Sequence, residues 1–342
     1  MLLLQVTGDG LYCQAGDFYI DPWKGVDFAV ITHAHSDHAR GGSRHYLTAR
    51  AGHQILQARM GAGARIESLP YGERIVRKGV TISLHPAGHI LGSAQVRVEY
   101  KGEVWVVSGD YKTEAEGSCE PFEPVRCHVF VTESTFGLPV YRWRPQMEII
   151  EEVNAWWRAN QAAGRTSVLF AYSLGKSQRI LAAVDASIGP VFAHGSVMKF
   201  LPLYEEQGVK LPAVSEINEA TLAEGKGRAL VIGPASTGGS PWLRKFGEAS
   251  HAFASGWMQL RGARRRRALD RGFVLSDHAD WNGLLASVRA TGAERVYVTH
   301  GYTTSMTRWL NENGWKAEAL ATRFTGETMG KAGEQGEGEW EA

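Results

Sequence analysis

Cysteine is scarce in this 342-residue chain: Cys13, Cys119 and Cys127 are the whole supply, and no CxxC pair occurs. An odd count without paired spacing argues against a disulfide framework and against a cysteine-based zinc knuckle. No apolar stretch approaches the roughly 20 residues needed to span a bilayer. The Met1–Val6 run has no basic stretch ahead of it and no small-residue cleavage site nearby, so it reads as a first strand rather than a signal peptide. The expected setting is cytoplasmic, with no membrane partner. A complete nucleotide-binding P-loop is missing too. Gly175-Lys176-Ser177 imitates its end, but position 170 is Phe where the leading glycine belongs, so ATP binding is not expected.

Net charge is also close to absent, at +1, and by itself names no partner. Its distribution says more. Residues 140–271 hold 18 Lys/Arg against 11 Asp/Glu, a net of +7, whereas 326–342 hold one Lys and five Glu, a net of −4. A basic middle segment in a near-neutral chain is a candidate polyanion surface, with a solvated Arg-rich face as the alternative.

What the chain does have is a repeated grammar in which a short apolar, β-branched run ends on a polar, ligand-type residue. Phe28–Thr32 runs into His33, Val80–Leu84 leads to His89, and Val104–Val107 reaches Asp110. Val129–Thr132 runs into Glu133, Phe273–Ser276 into Asp277 and His278, and Val296–Thr299 into His300. Such continuous runs suit strands buried on both faces. Ligand residues at their carboxyl ends suit a site on one rim of an α/β sheet. Four of these sites precede residue 140 and two follow residue 270, so the segment between must leave the core and return. The expected organisation is a core from 1–140 plus 271–325, an inserted α/β domain at 141–270, and a disordered acidic tail at 326–342. Within the insert, helices are predicted over 147–159 and 177–186, strands over 167–171, 191–193 and 229–232, and a helix opening at Pro241.

His33-Ala34-His35-Ser36-Asp37-His38 is the strongest local signal. Two imidazoles at i and i+2 can face one metal, and an Asp and a further His just beyond can face a second. Neutral imidazole and carboxylate oxygen are ligands that zinc prefers. His89 adds an imidazole, and Asp110 adds a carboxylate able to bridge two ions. The remaining histidines, His45, His53, His85, His128, His194 and His251, match no such pattern and read as structural.

HAHSDH, the His89 loop PAGHILGSA and the SGDYK turn resemble the ligand motifs of the metallo-β-lactamase superfamily. Glu133 in VTESTFG, His278 in LSDHAD and His300 in VTHG resemble the three motifs of its β-CASP nucleases. LYCQAGDFYIDPW, GLPVYRW, GSPWLRKFG and RGFVLSDHADW are similar to the bacterial ligase-associated DNA exonucleases. The resemblance covers about residues 1–325. It implies a four-layer αββα fold carrying an inserted α/β β-CASP cap, and two divalent metal ions, zinc first and manganese as the alternative. By that likeness His33, His35 and His89 hold one metal, Asp110 bridges, and Asp37, His38 and His300 hold the other. Asp21 would orient the histidine loop. Asp37, His278 and Glu133 would share in the chemistry, the last two by protonating the leaving sugar oxygen or stabilising charge on phosphorus. Two cations roughly 3.5–4 Å apart can share a hydroxide and clamp the attacking and leaving oxygens of an in-line displacement.

The function implied is a DNA exonuclease in end processing and repair, associated with an ATP-dependent DNA ligase and a helicase. The histidine of the third motif matches RNA-cutting β-CASP enzymes, which leaves an RNA-processing ribonuclease open as the alternative. A non-catalytic scaffold fits less well, because every ligand is kept. A small-molecule metallohydrolase also fits less well, because a β-lactam has no use for the basic insert or the Glu133/His278 pair. In the insert, Ser236, Thr237 and Ser240 form a turn entering a helix, and Lys176 opens another; each is a candidate phosphate contact, with a plain helix cap the alternative for the serine turn. Arg264, Arg265, Arg266 and Arg267 form a candidate nucleic-acid strip or a solvated turn.

Overall fold

The structure, a computed structural model, describes residues 2–215, 217–260 and 269–322. The tail at 326–342 and the Arg264–Arg267 run lie outside the described residues. The chain divides into two compact units. The first takes the described residues of Met1–Ala115, Cys119–Arg142 and His278–Thr328; the second takes those of Glu116–Ser118 and Trp143–Asp277.

The first unit holds two sheets. One has six strands in sequence order from Gln5–Val6 to Ile66–Leu69, parallel from Phe18–Ile20 onward. The other has seven, ordered Lys316–Ala319, Arg295–Gly301, Val129–Ser134, Glu103–Val107, Ala94–Tyr100, Val80–Pro86 and Arg74–Arg77. Its first four members are mutually parallel and the rest alternate. The apolar runs of the sequence explain why these segments form strands. All six residues of Val129–Ser134 are buried, as a strand covered on both faces requires. One core joins the two sheets, with Phe18, Val30 and Leu47 of the first packed among Ile82, Val96, Trp105 and Val131 of the second. Each such aliphatic side chain contributes about 1.5–3 kcal/mol on burial. Val106, Phe130 and Val298 on the opposite face of the seven-stranded sheet share a second core with Leu284, Val288, Met306 and Leu310. Those four lie on the helices Trp281–Thr291 and Thr303–Glu312.

The second unit is built on a five-stranded sheet that is parallel throughout, ordered Val191–Ala193, Leu230–Gly233, Thr166–Phe170, Ala249–Ala254 and Arg271–Phe273. The helix Gln146–Ala162 turns Ile149, Val153, Trp156 and Trp157 into its core, a spacing of three to four residues that places them on one helical face. The helices predicted at 147–159 and 177–186 run over Gln146–Ala162 and Lys176–Ala183.

One strand differs from expectation. The run leading to His278 is not part of the seven-stranded sheet that carries Glu133 and His300. It is regular only over Arg271–Phe273 and pairs with Ala249–Ala254. After Phe273 the backbone leaves the ladder, with Leu275 N donating to Phe273 O at 3.0 Å, so residues 274–277 form a loop rather than strand. Among the described residues no helix is long and apolar enough to cross a membrane.

Candidate metal centre

The carboxyl ends of strands in the first unit deliver the ligand-type residues. His33 follows Phe28–Val30, His89 follows Val80–Pro86, Asp110 follows Glu103–Val107, and His300 closes Arg295–Gly301. Three groups of potential ligand atoms converge: His33, His35, His89 and Asp110; His38, Asp110 and His300; and Asp110, Glu133 and His278. Asp110 belongs to all three. Of these residues only His35 is not fully buried.

The distances show how the groups close. His35 Nδ1 lies 3.1 Å from His33 Nε2 and 3.1 Å from His89 Nε2. Asp110 Oδ2 lies 3.7 Å from His33 Nε2, 3.9 Å from His89 Nε2 and 3.5 Å from His38 Nε2. Asp110 Oδ1 is 2.8 Å from His300 Nε2. Asp37, partly exposed, places Oδ2 3.8 Å from His38 Nε2.

Hydrogen bonds behind the cluster decide which nitrogens face it. Asp21 Oδ1 accepts from Thr32 N at 2.8 Å, and Asp21 Oδ2 accepts from Thr32 Oγ1 at 2.6 Å. With its own proton given to Asp21, Thr32 Oγ1 is left to accept from His33 Nδ1 at 3.1 Å. The lone pair of a neutral His33 then sits on Nε2, inside the cluster. His38 Nδ1 donates to Asp21 Oδ2 at 2.7 Å, which aims Nε2 of that ring inward as well. Asp21 thus orients two imidazoles, one directly and one through Thr32. This is the usual arrangement behind a metal-ligating histidine. The sequence reading named Asp21 but not Thr32; its one visible signal is a hydroxyl residue immediately before the first histidine.

Backbone conformation completes the placement. Between Val129–Ser134 and Arg295–Gly301 the register pairs Glu133 with Thr299 and Ser134 with Gly301, so His300 is an extra residue in the parallel ladder. His300 has φ +21°, and Gly301, at φ +81°, could not carry a side chain, because a Cβ there would meet Ser134 O at 2.2 Å. Such a bulge re-aims one side chain, here toward Asp110. Asp21 is a second non-glycine residue at positive φ, +43°. Strain of this kind persists only where its surroundings enforce it.

The electrostatics differ from ring to ring. Burial, followed by the nearby rings of His38, His89 and His35, holds His33 well below the ordinary imidazole range. Burial opposes charge on His38 too, but Asp110, Asp37 and Asp21 outweigh it and raise that ring well above the range. Burial pushes the Asp110 carboxyl up, and His38, His300 and His278 reverse this to hold it well below. Three converging ring nitrogens cannot all satisfy one another, since a neutral imidazole carries a single N–H. Together with a shared carboxylate they form a donor set that fits a metal ion.

Beside this set lies a carboxylate–imidazole pair. Glu133 is fully buried and accepts from Tyr111 N at 2.8 Å and Thr135 N at 3.3 Å. Its oxygens lie 3.0 and 2.9 Å from His278 Nδ1. With Nδ1 donating, His278 presents Nε2. The His278 ring lies 4.7 Å from that of His89 and meets the edge of Phe136 at 5.9 Å.

The candidates in the second unit have other surroundings. Lys176 is buried, with Nζ 3.3 Å from Asp277 Oδ2 and 4.6 Å above the Tyr172 ring. Ser240 caps the short helix Pro241–Arg244, accepting from Leu243 N at 3.4 Å. Thr237 is buried and donates to Pro234 O at 2.7 Å, while Ser236 beside it is exposed. His194 accepts from Ser196 N as a helix cap, and His128 Nδ1 accepts from Val104 N at 3.0 Å.

Comparison with known proteins adds the remaining observations. No protein-family model matches the chain. It is 33% identical over 314 residues to a "Probable DNA ligase" of Opitutus terrae, a match covering 91% of this chain and 30% of that protein. It is 28% identical over 123 residues to the endoribonuclease YSH1 of Candida albicans, covering 35% of this chain and 14% of that one. It is 26% identical over 125 residues to cleavage and polyadenylation specificity factor subunit 3 of Dictyostelium discoideum, covering 35% of this chain and 16% of that one. The chain spans less than a third of the length of each of these relatives. In fold it is similar to a protein of unknown function from Enterococcus faecalis V583, with a TM-score of 0.57 at 12% identity over 88% of this chain and 80% of that one.

Proposed function

We propose that this protein is a metal-dependent nuclease, a two-metal phosphodiesterase that acts as a DNA exonuclease in end processing. The observation that carries the reading is Asp110. One carboxylate oxygen faces His33, His89 and His38, and the other faces His300, so a single residue borders two donor sets. The sets would be His33, His35 and His89 for one ion, and Asp37, His38 and His300 for the other. All donors are nitrogen or oxygen, which suits zinc, with manganese as the alternative. Neighbouring nitrogens on a tetrahedral zinc, with bonds of ~2.0–2.1 Å, lie roughly 3.4 Å apart, close to the 3.1 Å separations around His35. When bound, such ions make water acidic enough to attack at neutral pH and offset charge on a phosphodiester.

The protein's own groups do the rest. Asp21 and Thr32 hold the imidazoles in the tautomers that present bare nitrogens. Glu133 fixes Nδ1–H of His278, which leaves Nε2 to carry a proton to the departing sugar oxygen. The second unit, including the basic stretch of sequence, would be the inserted cap of a four-layer αββα fold and would track the strand.

DNA is favoured over RNA because the match spanning most of this chain is to a protein named as a DNA ligase, whereas the endoribonuclease likenesses cover 35% to 48% of it. An ATP-dependent DNA ligase would be a functional partner, and a helicase a further one. An RNA-processing ribonuclease is the second reading, favoured by the endoribonuclease names. Digestion of matched end-labelled DNA and RNA strands by purified, metal-analysed protein tests both. Stepwise loss of DNA from an end is expected; exclusive cleavage of RNA would overturn the DNA reading, and cleavage of a closed DNA circle would overturn the exonuclease part.

A further inference from the structure

The strand Val129–Ser134 ends on two polar residues, and the proposed chemistry uses only the first. Glu133 meets His278. Ser134, which follows it, is completely buried. Its hydroxyl donates to the carbonyl of His300, and Thr299 O lies 3.2 Å from the same Oγ. Its own carbonyl accepts from Tyr302 N at 2.8 Å and from Gly137 N at 2.9 Å. In the ladder it is paired with Gly301. One serine therefore meets every residue from Thr299 to Tyr302, the stretch that carries His300. All of these residues belong to the first unit.

The position needs such a hold. The extra residue of a bulge falls out of step with the ladder, and a buried carbonyl there still requires a donor. At His300 that donor is the Ser134 hydroxyl. The backbone is unusual as well: His300, which is not a glycine, has φ +21°, and a conformation of this kind relaxes unless its surroundings enforce it. Beyond the bulge the chain enters the helix Thr303–Glu312 at once, and that helix is anchored in the core by Met306 and Leu310. His300 thus spans the gap between a strand end and a helix start. Ser134 fastens both sides of that gap, by its hydroxyl on the strand side and by its carbonyl on the helix side. Without the hydroxyl the bulge is free to shift, and His300 Nε2, 2.8 Å from Asp110 Oδ1, loses its aim.

We infer that Ser134 is a positioning residue for His300: by donating to the His300 carbonyl it holds the bulge that turns this imidazole toward Asp110. The inference rests on the proposed role of His300 as a metal ligand, and its test separates the two. Zinc is titrated into the metal-free forms of the wild type, Ser134→Ala, His300→Ala and the double variant. Ser134→Ala should weaken zinc binding by roughly tenfold or more, as for other groups that orient a ligating histidine. In the His300→Ala background the same substitution should weaken it hardly at all, since the two residues act as one unit. No weakening in the wild-type background, or an equal weakening in both, would overturn the inference. Amide exchange in the metal-free protein needs neither ion nor substrate. The Tyr302 N–H, bonded to Ser134 O, should exchange faster in Ser134→Ala, and unchanged exchange would refute the hold whatever the titration shows. If His300→Ala binds zinc as the wild type does, the ligand role of His300 fails, and exchange alone decides whether Ser134 holds the bulge. If Ser134→Ala does not fold, Ser134→Cys keeps the size of the side chain and offers a weaker donor; the same directions are expected with a smaller effect.

Discussion

Two buried polar clusters sit in this chain, and they are built on opposite plans. In the second unit, Lys176 and Arg179 face Asp277 and Glu116, so positive and negative groups match and the charges cancel within the fold. In the first unit, potential ligand atoms of the imidazoles and of the Asp110 carboxylate converge to within 4.8 Å of one another. A buried polar group without compensation is costly. In the matched cluster each charge meets an opposite one, and removing a member leaves a buried charge without its counterpart. Under the proposed function a metal ion completes the convergent cluster, and removing a member should release it. The contrast separates a cluster of matched charges from one proposed to hold a ligand, using only the signs of the groups that meet.

Three substitutions sharpen that contrast, in descending order of effect. Asp110→Ala removes the one carboxylate common to all three groups. It should abolish detectable turnover and lower bound metal as measured by elemental analysis; retention of a full metal complement would mean that Asp110 bridges nothing. His278→Ala should leave metal content intact while turnover falls by roughly 10²–10⁴-fold, the usual contribution of a positioned general acid. A parallel drop in bound metal would make His278 a ligand and move it into the convergent cluster. Asp21→Asn keeps the shape of the support behind His33 and His38 but weakens its acceptance. Metal affinity should drop about 10- to 100-fold, as for other residues that orient a ligating histidine, with turnover recovering at high metal concentration. A failure to recover would indicate that Asp21 does more than orient.

Much of the first unit can be read from residue order, because its strands are short apolar runs with a ligand-type residue at the end, and burial on both faces demands such runs. Secondary structure in the second unit is legible for the same reason, from helical spacing in Gln146–Ala162 to the serine cap at Ser240. What pattern could not reach was tertiary. Arg179 looks like any polar residue on an amphipathic helix until Glu116 and Asp277, sixty or more positions away, close around it. Thr32 reads as the tail of a strand until its hydroxyl is seen to relay Asp21 to His33. The run before His278 shares the composition of the others, and composition does not say which sheet a strand joins. The His300 bulge is hidden as well, since one extra residue in a parallel ladder leaves no mark beyond the glycine that follows.

The pairing of Val129–Ser134 with Arg295–Gly301 has a consequence for synthesis of the protein. These neighbours in the sheet are more than 160 positions apart in the chain, and contacts of such separation form late because a long loop must close first. While a ribosome is still making residues 135–294, the early histidines have already emerged, but neither His300 nor the strand that aims it exists. A half-made polypeptide can hold at most part of the candidate donor set, so the proposed chemistry has to wait until translation has passed His300.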